Sequence, residues 1–246
     1  MIVQTLARMR PSDISQIIQY WQDLLPAAEG AAPGGGGRRL NRAAIILGIL
    51  AVHRPECLDE ALRGRLAESL MNLLMDDKRN LFRSAAIELI GKAYPVWQGH
   101  VQPLSLFRLL LGWLVNMSVI DERDGAVQLV VPYDSASTID TLEAVRGTLL
   151  KLVRVAPQEI VPRWLGEDFS SSRSLLERWI CISLISDLVR AKPVVLRPYL
   201  ILVVEAVCKL LEGGGHSLPV SSGTGGGRGR LQLIAMPLLE DLVQAY

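Results

Sequence analysis

Aromatic residues are scarce. They make up 5% of the 246 positions, so a core has to be built from Leu, Ile, Val and Ala. That palette suits packed helices better than a β-sandwich. Cysteine is scarcer still and odd in number: Cys57, Cys181 and Cys208. Three thiols form no disulfide framework, which fits a reducing, cytoplasmic setting. Neither charge is in excess. Lys and Arg number 26, Asp and Glu 25, and the net charge is +1 with the signs mixed along the chain. A nucleic-acid binder shows a basic excess on one face, so nucleic acid is set aside as the main partner. Long apolar runs are missing too. The most apolar stretches are Leu104–Ile120, interrupted by Arg108, and Val194–Leu211, interrupted by Arg197, Glu205 and Lys209. A membrane span needs about 20 consecutive apolar residues. Both stretches read as buried core helices, and no membrane span is expected. Met1–Arg10 holds Arg8 and Arg10 but no apolar centre of signal-peptide length.

The motifs of catalysis and metal binding are also missing. No GxSxG, CxxC or HxxxH occurs. His53 and Cys57 are four residues apart, but Pro55 lies between them, and a zinc site needs three or four convergent ligands. Ser170–Ser172 read as loop and cap residues before a helix, with phosphorylation beside Arg173 as the alternative. The acid pairs Asp76–Asp77, Asp121–Glu122 and Glu167–Asp168 fall in turns, where solvated acids are ordinary. No catalytic residue, cofactor, metal or small-molecule substrate is therefore expected. Gly223–Arg230 reads GTGGGRGR. With only Arg228 and Arg230, and no interleaved aromatics, it reads as a flexible loop; RNA association is the alternative. Arg38, Arg39 and Arg42 cluster at a helix start, where cations are mildly unfavourable. A solvated face is preferred there over a site for an acidic partner.

Helical periodicity is plentiful. Ile14, Ile17, Ile18, Trp21, Leu24 and Leu25 form one stripe over Ser12–Leu25. Leu40–His53 is apolar on nearly every side and should be covered by neighbours. Leu58, Leu62, Leu66, Leu70 and Leu73 share a face over Leu58–Met75. Asn80 can cap Leu81–Lys92, whose stripe is Phe82, Ala86, Leu89, Ile90 and Ala93. Pro103 opens Leu104–Val119. Leu142, Val145, Leu149, Leu152 and Val153 mark Ser137–Val155, with capping-box spacing at Ser137 and Asp140. Pro157–Leu165 is a short helix. Ser174 and Glu177 form a second capping box before Leu175–Ala191. Val194–Leu211 and Leu231–Ala245 complete the set, and Pro237 either kinks the last helix or starts it. Ala126–Tyr133 is apolar and β-branched but has no evident pairing partner, so it reads as an ordered loop.

The pattern is helix, break, helix, with prolines at the joints. Pro55 and Pro95, and again Pro157 and Pro193, are spaced as in HEAT-like units. The fold expected is all-α: an irregular α-solenoid of stacked antiparallel helix pairs, HEAT- or armadillo-like, forming a single domain over 1–246. Flexible loops are expected at 27–39 and 213–230. Stacked pairs leave a long exposed surface, the physical basis for a protein-interaction scaffold.

Phe82–Trp97 reads FRSAAIELIGKAYPVW. It resembles the helical, non-propeller region of the rabconnectin-3 beta family of WD-repeat proteins. There an arginine-led A-I-(D/E)-L-I-G-(K/R) helix is followed by an aromatic and V-W. The matching positions are Arg83, Ala86, Ile87, Glu88, Leu89, Ile90, Gly91, Lys92, Tyr94, Val96 and Trp97; Arg83 and Lys92 are taken as exposed. Ala93 and Pro95 stand where the family pattern has Gly and Thr. Weaker, collinear similarity covers Ala44–Gly48, Leu142–Pro157 and Leu200–Gly213. No WD dipeptide occurs in the chain, so the resemblance is to the helical region alone. It implies a non-catalytic subunit that partners a rabconnectin-3 alpha relative and subunits of the vacuolar proton-ATPase. Such a subunit would support pump assembly and vesicle acidification, and would lie in the cytoplasm, peripherally on endosomes or vesicles. A generic solenoid adaptor in trafficking or transport is the alternative.

Overall fold

A computed structural model describes residues 9–25, 37–75, 80–121, 128–130, 136–167, 174–191, 193–212 and 226–246. The fold is all-helical in class. The helices are α1 (Pro11–Gln22), α2 (Gly37–His53), α3 (Glu60–Met75), α4 (Asn80–Lys92), the single turn α5 (Tyr94–Trp97), α6 (Pro103–Met117), α7 (Ala136–Val155), α8 (Pro157–Pro162), α9 (Leu175–Ala191), α10 (Leu200–Glu212) and α11 (Gly226–Ala245). No described helix is long and apolar enough to cross a membrane.

Packing divides the chain into two compact units. The first comprises Met1–Leu106 and Ala136–Thr148, the second Phe107–Ser135 and Leu149–Tyr246.

In the first unit, α2 packs against α1, α3 and α4. This explains its nearly continuous apolar sequence: Ala43, Ala44, Leu47, Leu50 and Ala51 are buried. A 3-10 turn at Pro55–Cys57 ends the α2 run. Asp59 then starts α3, its carboxylate accepting the Leu62 N–H at 2.7 Å, an N-cap arrangement. The leucine stripe of α3 is in the core, with Leu62, Leu66, Leu70 and Leu73 all buried; Leu58, expected to open the helix, is buried just before it, since α3 starts at Glu60. In α1 only Ile14 is fully covered; Ile17, Ile18 and Trp21 are half-buried.

In the second unit, Phe107 and Trp164 meet with ring centroids 5.0 Å apart. Helix α8 runs into a π-helical turn at Arg163–Glu167. The capping box at α9 forms in both directions. The Ser174 hydroxyl accepts the Glu177 N–H at 3.2 Å, and the Glu177 carboxylate accepts the Ser174 N–H at 2.9 Å. Helix α9 packs against α11, and Arg190 reaches Asp241 across that contact at 2.6 Å.

Several sequence expectations need correction. The stretch 27–39 is not loop to its end, because α2 starts at Gly37; the earlier part lies outside the described residues. Likewise α11 starts at Gly226 and takes in the end of the 213–230 stretch, while 213–225 lies outside the described residues. Pro237 lies inside α11. Ala126–Tyr133 contains a strand, Gln128–Val130, paired antiparallel with Val119–Asp121 in the register Val119 to Val130. The partner was hidden because α6 stops at Met117, short of the predicted Val119. Val194–Leu211 is not one buried helix. It breaks into 3-10 turns at Pro193–Val195 and Arg197–Tyr199 before α10 begins. Pro198 has no N–H to give, so a continuous ladder cannot pass it. Helix α7 begins at Ala136, one residue before the expected Ser137; the side chains of Ser137 and Asp140 lie outside the described residues.

Candidate functional site

The family-like motif occupies α4 and α5 in the first unit. Most of it points inward. Arg83, Ala86, Ile87, Leu89, Ile90, Gly91, Tyr94 and Trp97 are buried, Val96 is half-buried, and Glu88 and Lys92 are exposed. The expectation that Arg83 is exposed is wrong, since it is only 5% exposed. Its position i−3 from Ala86 and i−4 from Ile87 puts it on the core side of the helix. Glu88 and Lys92, one turn apart, form an ion pair on the outer face.

Three of the inward residues have visible structural tasks. Trp97 is fully buried, with its indole N–H 3.5 Å from the Leu89 carbonyl. The Tyr94 hydroxyl donates to the Val101 carbonyl at 3.1 Å, closing the segment after α5. Gly91 faces Thr148 of α7. A Cβ built at Gly91 would lie 2.3 Å from Thr148 Oγ1. The Thr148 hydroxyl donates to the Ala144 carbonyl at 2.8 Å and lies 3.4 Å from the Ile87 carbonyl. The motif is thus mainly a packing signature, with Glu88 and Lys92 as its outward edge.

Among the described residues the candidate chemical side chains do not converge. Among the described residues no group of three His, Cys, Asp or Glu side chains could hold a metal. His53 is exposed and Cys57 half-buried. His100 sits 3.0 Å from Glu60 and against Gly64, a surface contact at the start of α3. Glu167 lies 4.0 Å from Arg108. Arg54 and Glu56 approach to 2.6 Å; the hydrogen bond from Arg54 lowers the Glu56 carboxyl below its ordinary range and raises the guanidinium. Asp76, Asp77, Glu122, Asp168 and the Ser170–Ser172 group lie outside the described residues. Of the Arg38, Arg39 and Arg42 cluster, Arg42 is exposed in the first turns of α2. Arg228 and Arg230 fall in the opening of α11.

The sequence reading misses a groove of about 630 Å³ in the second unit. It runs between α10 and α11 and is lined by Leu200, Ile201 and Val204 on one side, and Leu242, Val243 and Tyr246 on the other. Glu205 is its charged wall residue. Ile201 is 77% exposed and Val243 82%. The signal was present: Ile201, Val204, Glu205 and Cys208 follow helical spacing, so the two apolar residues share a face with a charge. Comparison of the chain with protein-family models, with curated proteins and with solved structures finds no match.

Proposed function

We propose that this chain is a non-catalytic protein-interaction scaffold, built as an irregular α-solenoid of stacked antiparallel helix pairs. The observation that carries the reading is the packing of α2, α3 and α4. Each of the three packs against the other two across short breaks, and helical-repeat proteins likewise bury helix faces between neighbours. Such a core needs no chemistry at its surface and leaves helix faces free for partners.

The process it serves is drawn from the resemblance at Phe82–Trp97 alone. On that basis the chain acts like the helical region of the rabconnectin-3 beta family. It binds a rabconnectin-3 alpha relative and proton-ATPase subunits, peripherally on endosomes or vesicles, and supports assembly of the pump. The burial of most motif residues is consistent with a shared helical fold, and Glu88 and Lys92 are the motif positions a partner can reach.

The test is affinity capture with the tagged full chain, after circular dichroism establishes that it is folded. Recovery of a rabconnectin-3 alpha relative or of pump subunits is expected. Recovery of neither overturns the pump reading. Recovery of coat or transport proteins instead would favour the generic trafficking adaptor.

A further inference from the structure

The α10–α11 groove is an open apolar trough. Leu242 of its lining is buried, while Ile201 of α10 is 77% exposed and Val243 of α11 is 82% exposed. The α11 side of the lining, from Leu239 through Leu242 and Val243 to Tyr246, follows helical spacing. At 1.5 Å per residue that is roughly 10 Å of trough. Eight residues line it, whereas a stable interface between two copies takes about 20–30 residues a side. Its walls stand too far into solvent to enclose a small molecule, which buries about 70–90% of its surface in a pocket.

We propose that this trough docks a single amphipathic helix of a partner protein, one that carries a Lys or Arg beside its apolar stripe. The lining decides the form of the occupant. Both walls are helices, and neither offers the free row of N–H and C=O groups that an edge strand presents. An extended peptide laid here would bury main-chain groups against hydrocarbon with nothing to bond. A helix arrives with its main chain already bonded within itself. Its apolar side chains at i, i+3 or i+4, and i+7 span the same length of roughly 10 Å.

Charge decides which helix. Glu205 is the one charged residue of the lining. It is exposed and forms no ion pair among the described residues, unlike Asp241 of α11, which Arg190 holds at 2.6 Å. A partner that closed the trough with an apolar or acidic residue at this point would leave the carboxylate against hydrocarbon or a like charge. A Lys or Arg pairs with it, lays its stem on the apolar wall and keeps its head in water. Lys209, one turn further along α10, lies outside the lining. Arg197 is close enough to act on the Tyr246 hydroxyl, so the basic residue is favoured opposite Glu205 and not at the Tyr246 end.

The inference rests on the scaffold reading for a protein partner, but not on the proton-pump reading. The probe is a phage-displayed library of random 16-residue peptides, selected on the folded full chain with counter-selection on Ile201→Asp. That variant should keep its helicity and thermal midpoint, because the side chain already faces solvent. Enriched peptides should carry apolar residues at i, i+3 or i+4, and i+7 with a Lys or Arg alongside, and should gain helicity on binding. Ile201→Asp and Val243→Asp should each weaken them about tenfold or more. Glu205→Arg should weaken them about fivefold, and selection on that variant should enrich Asp or Glu at the basic position. No peptide that depends on Ile201 overturns the proposal, as do peptides with alternating apolar spacing, or a basic preference that survives Glu205→Arg. Self-association of the chain, or binding to phosphatidylserine vesicles, that is lost with Ile201→Asp also overturns it, since the trough then belongs to a second copy or a lipid surface. Failure of the selection beside a successful affinity capture that Ile201→Asp leaves intact would overturn this site and keep the scaffold reading.

Discussion

Gly91 of α4 and Thr148 of α7 approach so closely that no Cβ fits between them: the built atom lies 2.3 Å from Thr148 Oγ1, 3.0 Å from Cγ2 and 3.1 Å from Cβ. Glycine inside a helix costs about 1 kcal/mol relative to alanine. Here that cost is offset by the close packing it permits. The hydroxyl cannot simply rotate away without giving up its 2.8 Å bond to the Ala144 carbonyl.

Gly91→Ala should therefore destabilise the protein despite the gain in helix propensity. Overpacking of a tight contact costs about 1–3 kcal/mol, which exceeds the propensity gain. Urea unfolding should show a lower midpoint. Adding Thr148→Ala removes the nearest atoms, so the double variant should recover part of the loss, with a coupling energy of about 0.5–2 kcal/mol in the cycle. Strict additivity would show that the two residues do not collide.

Gly112 supplies the opposite case within α6. Nothing lies within 4 Å of a Cβ built there, and the residue is exposed. Gly112→Ala should stabilise by about 0.5–1 kcal/mol through helix propensity and the unfolded chain's lost freedom. A fall in thermal midpoint would contradict the open space seen around it.

Trp97→Ala should cost about 3–5 kcal/mol, the range for removing a buried large aromatic. Most of that is lost packing, since the 3.5 Å approach of its N–H to the Leu89 carbonyl is at the limit of a hydrogen bond. A loss under about 1 kcal/mol would place Trp97 outside the core. The readout is the urea midpoint at constant slope.

Much of this fold is legible in the chain because apolar spacing and local punctuation act together. Leu62, Leu66, Leu70 and Leu73 announce a face, and all four are buried. Ser174 and Glu177 announce a helix start, and both reciprocal bonds form. What fails depends on long-range packing. Arg83 looks like a surface residue by type, yet lies in the core. Gly226 to Arg230 look like linker by composition, yet are helical; glycine lowers helix propensity without forbidding a helix. Val194–Leu211 looks buried by mean hydropathy, but the mean hides which face each residue takes. The strand Gln128–Val130 is too short for alternation to be read.

The acid limb of stability offers a small, local test. The hydrogen bond from Arg54 holds the Glu56 carboxyl below its ordinary range. A lowered carboxylate contributes stability that is present above its unfolded value and is lost as pH falls through the folded one. Both groups are at the surface, so the effect on global stability is slight. Carbon-detected NMR titration should find Glu56 lowered, and Arg54→Ala should return it upward. An unchanged titration in that variant would mean that the 2.6 Å contact is not formed in solution.

The last prediction separates fold from partner within the motif. Arg83 is buried, whereas Glu88 and Lys92 pair on the outer face one turn apart. Arg83→Ala should therefore destabilise the protein through lost packing of its long stem. Lys92→Glu places like charges at i, i+4, which costs only about 0.2–0.5 kcal/mol on an exposed helix. Its folding should be nearly unchanged. If the outer edge of the motif contacts a partner, Lys92→Glu should lower recovery in affinity capture while the thermal midpoint holds, and the paired exchange Glu88→Lys with Lys92→Glu should restore the ion pair without restoring binding. If capture is unaffected by Lys92→Glu and falls only with Arg83→Ala in proportion to lost folded protein, the motif serves the helix packing alone. The resemblance at Phe82–Trp97 would then speak for a common fold, and the contact surface would have to be sought on another face of the chain.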